Sequence, residues 1–161
     1  MMQLWRLSNS GMLSGGFYPG GRWLPAGAPV VLLDPTPLAA ICARLALVEA
    51  EHPRKLPRQY RLLEVQVPGD AGMHVCAPPR NWRTDLPATR ALGHAWLETG
   101  NDLMFKVPTL AGGEQYLLNC SHPAMLQCHV RSVATQPFED QPALFDGVAA
   151  WSSERDWLAK P

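Results

Sequence analysis

Sixteen prolines and thirteen glycines are spread along 161 residues, and no other feature limits the fold as much. Proline cannot donate into a helix or a ladder and glycine weakens both, so every regular element in such a chain must be short. No internal repeat or low-complexity stretch interrupts this spacing, which excludes a solenoid or a flexible linker. With 47% hydrophobic and 17% charged residues, the chain still has enough apolar surface for a core. The expectation is one compact, loop-rich α+β domain.

The elements can be placed from the pattern. Gln3 to Leu7 alternates like a strand, and Pro29 to Leu33 is a continuous apolar run suited to a buried one. In Asp34-Pro35-Thr36-Pro37, Thr36 can cap a helix and Pro37 can stand in its first turn without losing a needed hydrogen bond, so a helix is expected from Pro37 to Glu51. At ~100° per residue, Leu38, Ile41, Leu45 and Val48 form its core stripe, and Ala39, Ala43, Ala46 and Ala50 a second face of small residues. Such a face allows close packing of a neighbouring element or leaves room for a ligand. Further strands are expected over Tyr60–Val67, Asp102–Val107 and Gln127–Val133, with a helix over Thr89–Glu98. The segment 141–161, with Trp151 and Trp157, is read as a C-terminal tail docked on a domain spanning residues 1–140.

Charge excludes several partners. Fourteen basic residues balance fourteen acidic ones, which leaves no electrostatic footprint for nucleic acid or an anionic membrane. Cys42, Cys76, Cys120 and Cys128 contain no CxxC pair and read as reduced thiols. The start lacks a signal-peptide pattern and no apolar run approaches spanning length, so a cytoplasmic protein is expected. His52, His74 and His129 are widely spaced with no second ligand type beside them, so no metal site is expected.

One short stretch carries chemistry. Gly20-Gly21-Arg22-Trp23 precedes the apolar strand, and a planar guanidinium beside two glycines suits a phosphate or carboxylate approaching the backbone. The plain alternative is a surface arginine stacked on Trp23.

The ordered series LWRLSN, GGRW, PVVLL and its helix, LPRQYRLLEVQVP, NWR, TRALGHAWLE, LMFKVPT, YLLNCSHP and PF resembles the RES-domain family, the NAD-consuming toxins of bacterial toxin–antitoxin pairs, up to about Phe138. The resemblance implies a fold like that of ADP-ribosyltransferase toxins. It implies cleavage of the nicotinamide–ribose bond of NAD, with ADP-ribose passing to phosphate, to water or to a target protein such as a nucleotide-synthesis enzyme. NAD is then a substrate and no cofactor is implied. The implied partner is a cognate antitoxin with a DNA-binding region. Cleavage develops positive charge on ribose, so a nearby carboxylate stabilises the transition state, while an arginine grips phosphate and a ring stacks on nicotinamide.

By the same resemblance, the family arginine is Arg22 and the family serine becomes Thr109 in Val107-Pro108-Thr109, which keeps the hydroxyl. The stacking tyrosine falls at Leu32, and Tyr18 or Trp23 are candidates for contact with the ligand. Asn119 in the motif with His122 is a candidate hydrogen-bonding group, or a turn residue satisfying backbone. The family glutamate falls at Ala43, which supplies no charge. Glu49 and Glu51 lie off the face of Ala43, and Asp34 matches a loop position in the family. The family's glycine–aspartate is here Gly93-His94, so a second carboxylate is missing. Ala43 leaves open altered chemistry, an engineered inactive chain, or a RES scaffold that works as a binding module.

Overall fold

The structure, a computed structural model, describes residues 1–14, 16–47, 60–135 and 137. Its described strands form two sheets. In the first, β1 (Met2–Ser8), β3 (Arg61–Val67) and β7 (His129–Ala134) run antiparallel in the order β1-β3-β7. In the second, β2 (Val30–Leu33), β4 (Met73–Val75), β5 (Met104–Pro108) and β6 (Glu114–Asn119) follow the order β2-β6-β5-β4, with only the β4–β5 pair parallel. The helices are α1 (Pro37–Leu47) and α2 (Leu86–Thr99), with a 3-10 helix at Pro123–Gln127.

Strand alternation decides what each face packs against. Leu4 on β1 and Leu63, Val65 and Val67 on β3 meet Val31, Leu33, Met104, Tyr116 and Leu118 in a core between the sheets. Each such fully buried side chain contributes about 1.5–3 kcal/mol of transfer free energy. Leu7 and Leu62, on the opposite face of the first sheet, pack against Ala40, Ile41 and Leu45 of α1. The outer face of the second sheet presents Val30, Phe105, Val107 and Leu117 to Trp23, Trp82 and Trp96.

Among the described residues, one isolated bridge joins the sheets. Trp5 and Asp34 exchange two backbone hydrogen bonds of 2.8 Å across an antiparallel bridge. Residues directly opposite in such a pair project to the same side, so the α1-covered face of β1 continues into the outer face of β2. α1 and the layer over the second sheet therefore share one outer surface.

The α1 start agrees with expectation: Thr36 Oγ1 accepts from Ala39 N at 3.1 Å. Other boundaries shift. α2 begins at Leu86 rather than Thr89, because Asp85 caps it by accepting from Ala88 N at 3.0 Å and a proline stands in its first turn. β5 begins at Met104, not Asp102, whose carbonyl accepts from the Trp96 indole at 3.2 Å. Gln127 ends the 3-10 helix instead of starting β7, since His122 and Pro123 open a helical turn there. β4 and β6 are elements that pattern alone did not reveal. The expected continuation of α1 through Val48, Glu49, Ala50 and Glu51, together with His52 and the tail 141–161, lies outside the described residues.

Candidate functional site

The loop between β1 and β2 is built around Arg22. Gly20 holds φ at 88°, and a Cβ there would come within 2.8 Å of the Ala26 backbone, so only glycine closes this turn without strain. Gly21 N donates to Leu24 O and Gly27 N to Tyr18 O, both at 2.9 Å. α2 then pins the loop from outside. Thr89 Oγ1 donates to Arg22 O at 2.7 Å, and Arg90 Nε donates to Gly21 O at 3.2 Å. A Cβ on Gly93 would fall 1.8 Å from Trp23 O, so the helix can approach this closely only without a side chain there. The motif TRALGHAW is therefore the support of the arginine loop.

The Arg22 side chain takes a partner the sequence did not suggest. Nη1 donates to Trp82 O at 3.0 Å and the guanidinium lies 5.9 Å from the Trp82 ring, not stacked on Trp23. Arg83 lies 4.9 Å from the same ring. Arg22 Nε is buried and has no hydrogen-bond partner among the described residues.

Tyr18, Trp23 and Leu32 belong to one apolar cluster, Leu32 being half-buried at its edge. Trp23 stacks on Trp82 with centroids 5.7 Å apart and meets Phe105 edge-on at 6.0 Å, so its ring is committed to the core. Tyr18 is 7% exposed, and burial raises its hydroxyl pKa, with Arg90 opposing. Thr109 closes the β5–β6 turn: its hydroxyl donates to Gly112 O at 2.7 Å and its N–H to Gly113 O at 3.2 Å. Asn119 is 3% exposed and its Oδ1 accepts from Ser121 N at 3.0 Å, while His122 Nδ1 accepts from Ala124 N at 3.1 Å. Both thus have the turn role weighed for them. Ala43 is half-buried on α1.

A cavity of about 210 Å³ opens beside the point where β1 and β2 part after the Trp5–Asp34 bridge. Arg6, Ser14, Gly16, Val30, Val31 and Cys120 are among the residues lining it, whereas Arg22, Leu32, Thr109 and Ala43 are not. Arg6 was not singled out from the sequence. It shares the inward face of β1 with Leu4, and a charge on a core-facing position was the available signal. Its Nη1 donates to Leu13 O at 2.7 Å, and no carboxylate among the described residues pairs with it. Burial, then repulsion from Arg44, lowers its pKa to about 10, with Cys120 opposing. A half-buried guanidinium with no carboxylate partner among the described residues suits an anionic ligand.

Asp34 is the remaining ionisable group at this junction. It is 6% exposed, and Oδ1 accepts from Gln115 Nε2 at 2.9 Å. Burial raises its pKa to about 6, against the lowering effects of Gln115 and then Arg44. Arg44 itself donates Nη2 to Leu7 O at 3.0 Å and lies 5.2 Å from the Tyr60 ring. Among the described residues, no group of three or more histidines, cysteines or carboxylates could hold a metal, and no helix is long and apolar enough to cross a membrane.

Comparison with known proteins gives this arrangement a context. Residues 3–141 match the RES domain family. The chain is 31% identical over 149 residues to Toxin Res of Pseudomonas putida (strain KT2440), covering 89% of this chain and 100% of that protein. Its fold is similar to that in the crystal structure of the M. tuberculosis MbcT–MbcA toxin–antitoxin complex, with a TM-score of 0.60 over 92% of this chain and 88% of that one. At 19% identity the last likeness concerns the fold alone.

Proposed function

This chain belongs to the RES domain family and is a toxin of the toxin–antitoxin kind, and on that premise we propose that it cleaves the nicotinamide–ribose bond of NAD. The observation that carries the reading is Arg6: a half-buried guanidinium with no carboxylate partner among the described residues, lining a cavity between the two sheets. Such a group favours a doubly charged pyrophosphate over water, because ligand oxygens replace the hydration it has lost. Arg22, whose Nη1 donates to Trp82 O, is a second guanidinium, on the loop next to β2. Thr109 and Leu32 would contact the ribose and nicotinamide ends, with Tyr18 and Trp23 holding the loop and Asn119 the end of β6.

The C1′–N bond breaks with its electron pair passing to the departing nicotinamide. Positive charge then develops at C1′, and an oxygen of phosphate, water or a protein side chain attacks it. NAD is substrate here, and no resident cofactor is needed. A cognate antitoxin would neutralise the chain by covering the site, in the cytoplasm where NAD is available; a nucleotide-metabolism enzyme is a candidate protein acceptor.

Ala43 favours one other reading, a RES scaffold that binds without turnover, since an alanine at the family glutamate position supplies no charge. NAD loss by the purified chain, with and without inorganic phosphate and beside Ala43→Glu, separates the two. Loss by either protein supports the enzyme lineage, and phosphate dependence names the acceptor. Absence of loss in both leaves the binding module.

A further inference from the structure

We propose that the outer face of the first sheet carries a docking pocket for an arginine side chain of a partner protein, built from Trp5 and Glu64. The inference is independent of the NAD-cleaving reading, and either can fail without the other.

The first argument is register. Trp5 stands directly opposite Glu64 in the β1–β3 ladder, and Glu64 directly opposite Ser132 in the β3–β7 ladder, so the three side chains form one cross-strand row on one face. The next row on that face is Leu7, Leu62 and Ala134, which packs with α1. Where this cover ends, a second cavity of about 100 Å³ opens, lined by Trp5, Pro37, Leu62, Glu64, Ser132 and Ala134. Glu64 is the one charged group among these six. Trp5 also packs against the α1 cluster, and its backbone is fixed by the double hydrogen bond to Asp34, so the platform is in place before a ligand arrives.

The second argument is a β-bulge at the same place. The β3–β7 register shifts between Glu64 and Val65: Glu64 pairs with Ser132 and Val65 with Val130, which leaves Arg131 as the extra residue of β7. A bulge disrupts the ladder locally and re-aims a side chain, and such irregularities gather beside functional sites. Here it brings Arg131 and Ser132 to the same carboxylate. Ser132 Oγ donates to Glu64 Oε2 at 2.7 Å and Gln3 Nε2 donates to Oε1. These two neutral donors orient Glu64 without cancelling its charge. Arg131, the one ion-pair partner of Glu64 among the described residues, keeps its Nη1 4.0 Å from Oε1, and its side chain is 63% exposed. So loose a pair in water is worth little, and a better-placed guanidinium can displace it.

These features select the ligand. A ring beside an oriented carboxylate suits a cation, and arginine suits it better than lysine, because its planar fork stacks on an aromatic ring while donating to a carboxylate and is more weakly hydrated. β7 ends its sheet among the described strands, so a partner can approach within one strand of the pocket. A chain with no net charge thus offers a local negative site to a basic segment of a partner.

The test titrates the full chain with the peptide acetyl-Gly-Arg-Gly-amide and with its lysine and citrulline counterparts, following indole and backbone amide signals by NMR, with thermal unfolding measured on each variant. The arginine peptide is expected to give saturable shifts at Trp5, Glu64 and Ser132. Binding is expected to be weaker with the lysine peptide, and about tenfold weaker with the citrulline peptide or in Glu64→Gln. Arg131→Ala removes the internal competitor and is expected to tighten binding about two- to fivefold, which a folding defect would not do. Absence of a saturable shift at Trp5 in the unaltered chain overturns the proposal, as does equal binding of either counterpart peptide or equal binding by Glu64→Gln. Shifts of the same signals that depend on protein concentration without peptide make a second copy the occupant and overturn it too. If the unaltered chain does not bind the peptide and replacing Arg54, Lys55 and Arg58 together by alanine moves the Trp5 signal, this chain's own segment is the occupant and the proposal falls.

Discussion

Gly93 shows how much one residue can decide. With its missing side chain only 1.8 Å from Trp23 O, Gly93→Ala must push α2 away from the arginine loop, and a loss of about 1–3 kcal/mol is expected in thermal unfolding. Asp34 works in the opposite direction. Its pKa is raised from 3.8 to about 6, so between these values the folded chain binds more protons than the unfolded one and stability falls as pH rises. Asp34→Asn should therefore stabilise the protein by about 3 kcal/mol at pH 7.5, and the gain should vanish below 3.8, where both states are protonated. Unfolding at the two pH values checks both the sign and the window. Arg6→Met is expected to leave unfolding unchanged or improved while weakening NAD binding about tenfold or more, as titration calorimetry would show.

At the scale of elements, α2 acts as the clamp of the loop that carries Arg22. Thr89→Val removes the hydroxyl that donates to Arg22 O at 2.7 Å while keeping the packing volume. A loss of about 1 kcal/mol is expected, with faster hydrogen exchange at Gly21 to Trp23 than in α2 itself. The beginning of α1 was legible because capping is local: Thr36 and Pro37 act on neighbouring backbone groups. The beginning of α2 carried a similar signal in Asp85 and Pro87, but the apolar pattern that starts at Thr89 obscured it. β4 escaped notice because three exposed residues have no core-facing alternation. β6 did so because Tyr116 to Asn119 are buried on both faces, and the polar–apolar alternation of a one-sided strand is absent.

For the whole molecule, the sequence by itself determined the short elements, the α+β class, the family and the arginine loop. Each of these rests on local chemistry: where proline and glycine interrupt, where a side chain caps, and where a motif keeps its order. Only the tertiary structure decided that Arg6 lines a cavity, that Arg22 turns to Trp82 instead of Trp23, and that Asp34 is buried against Gln115. All three depend on contacts between segments far apart in the chain. The Trp5–Asp34 bridge joins residues far apart in the chain, and its formation is rewarded only after the intervening loop has been ordered. Composition and periodicity describe one strand at a time; the register between strands determines which side chains share a face, and so where charge is left unpaired.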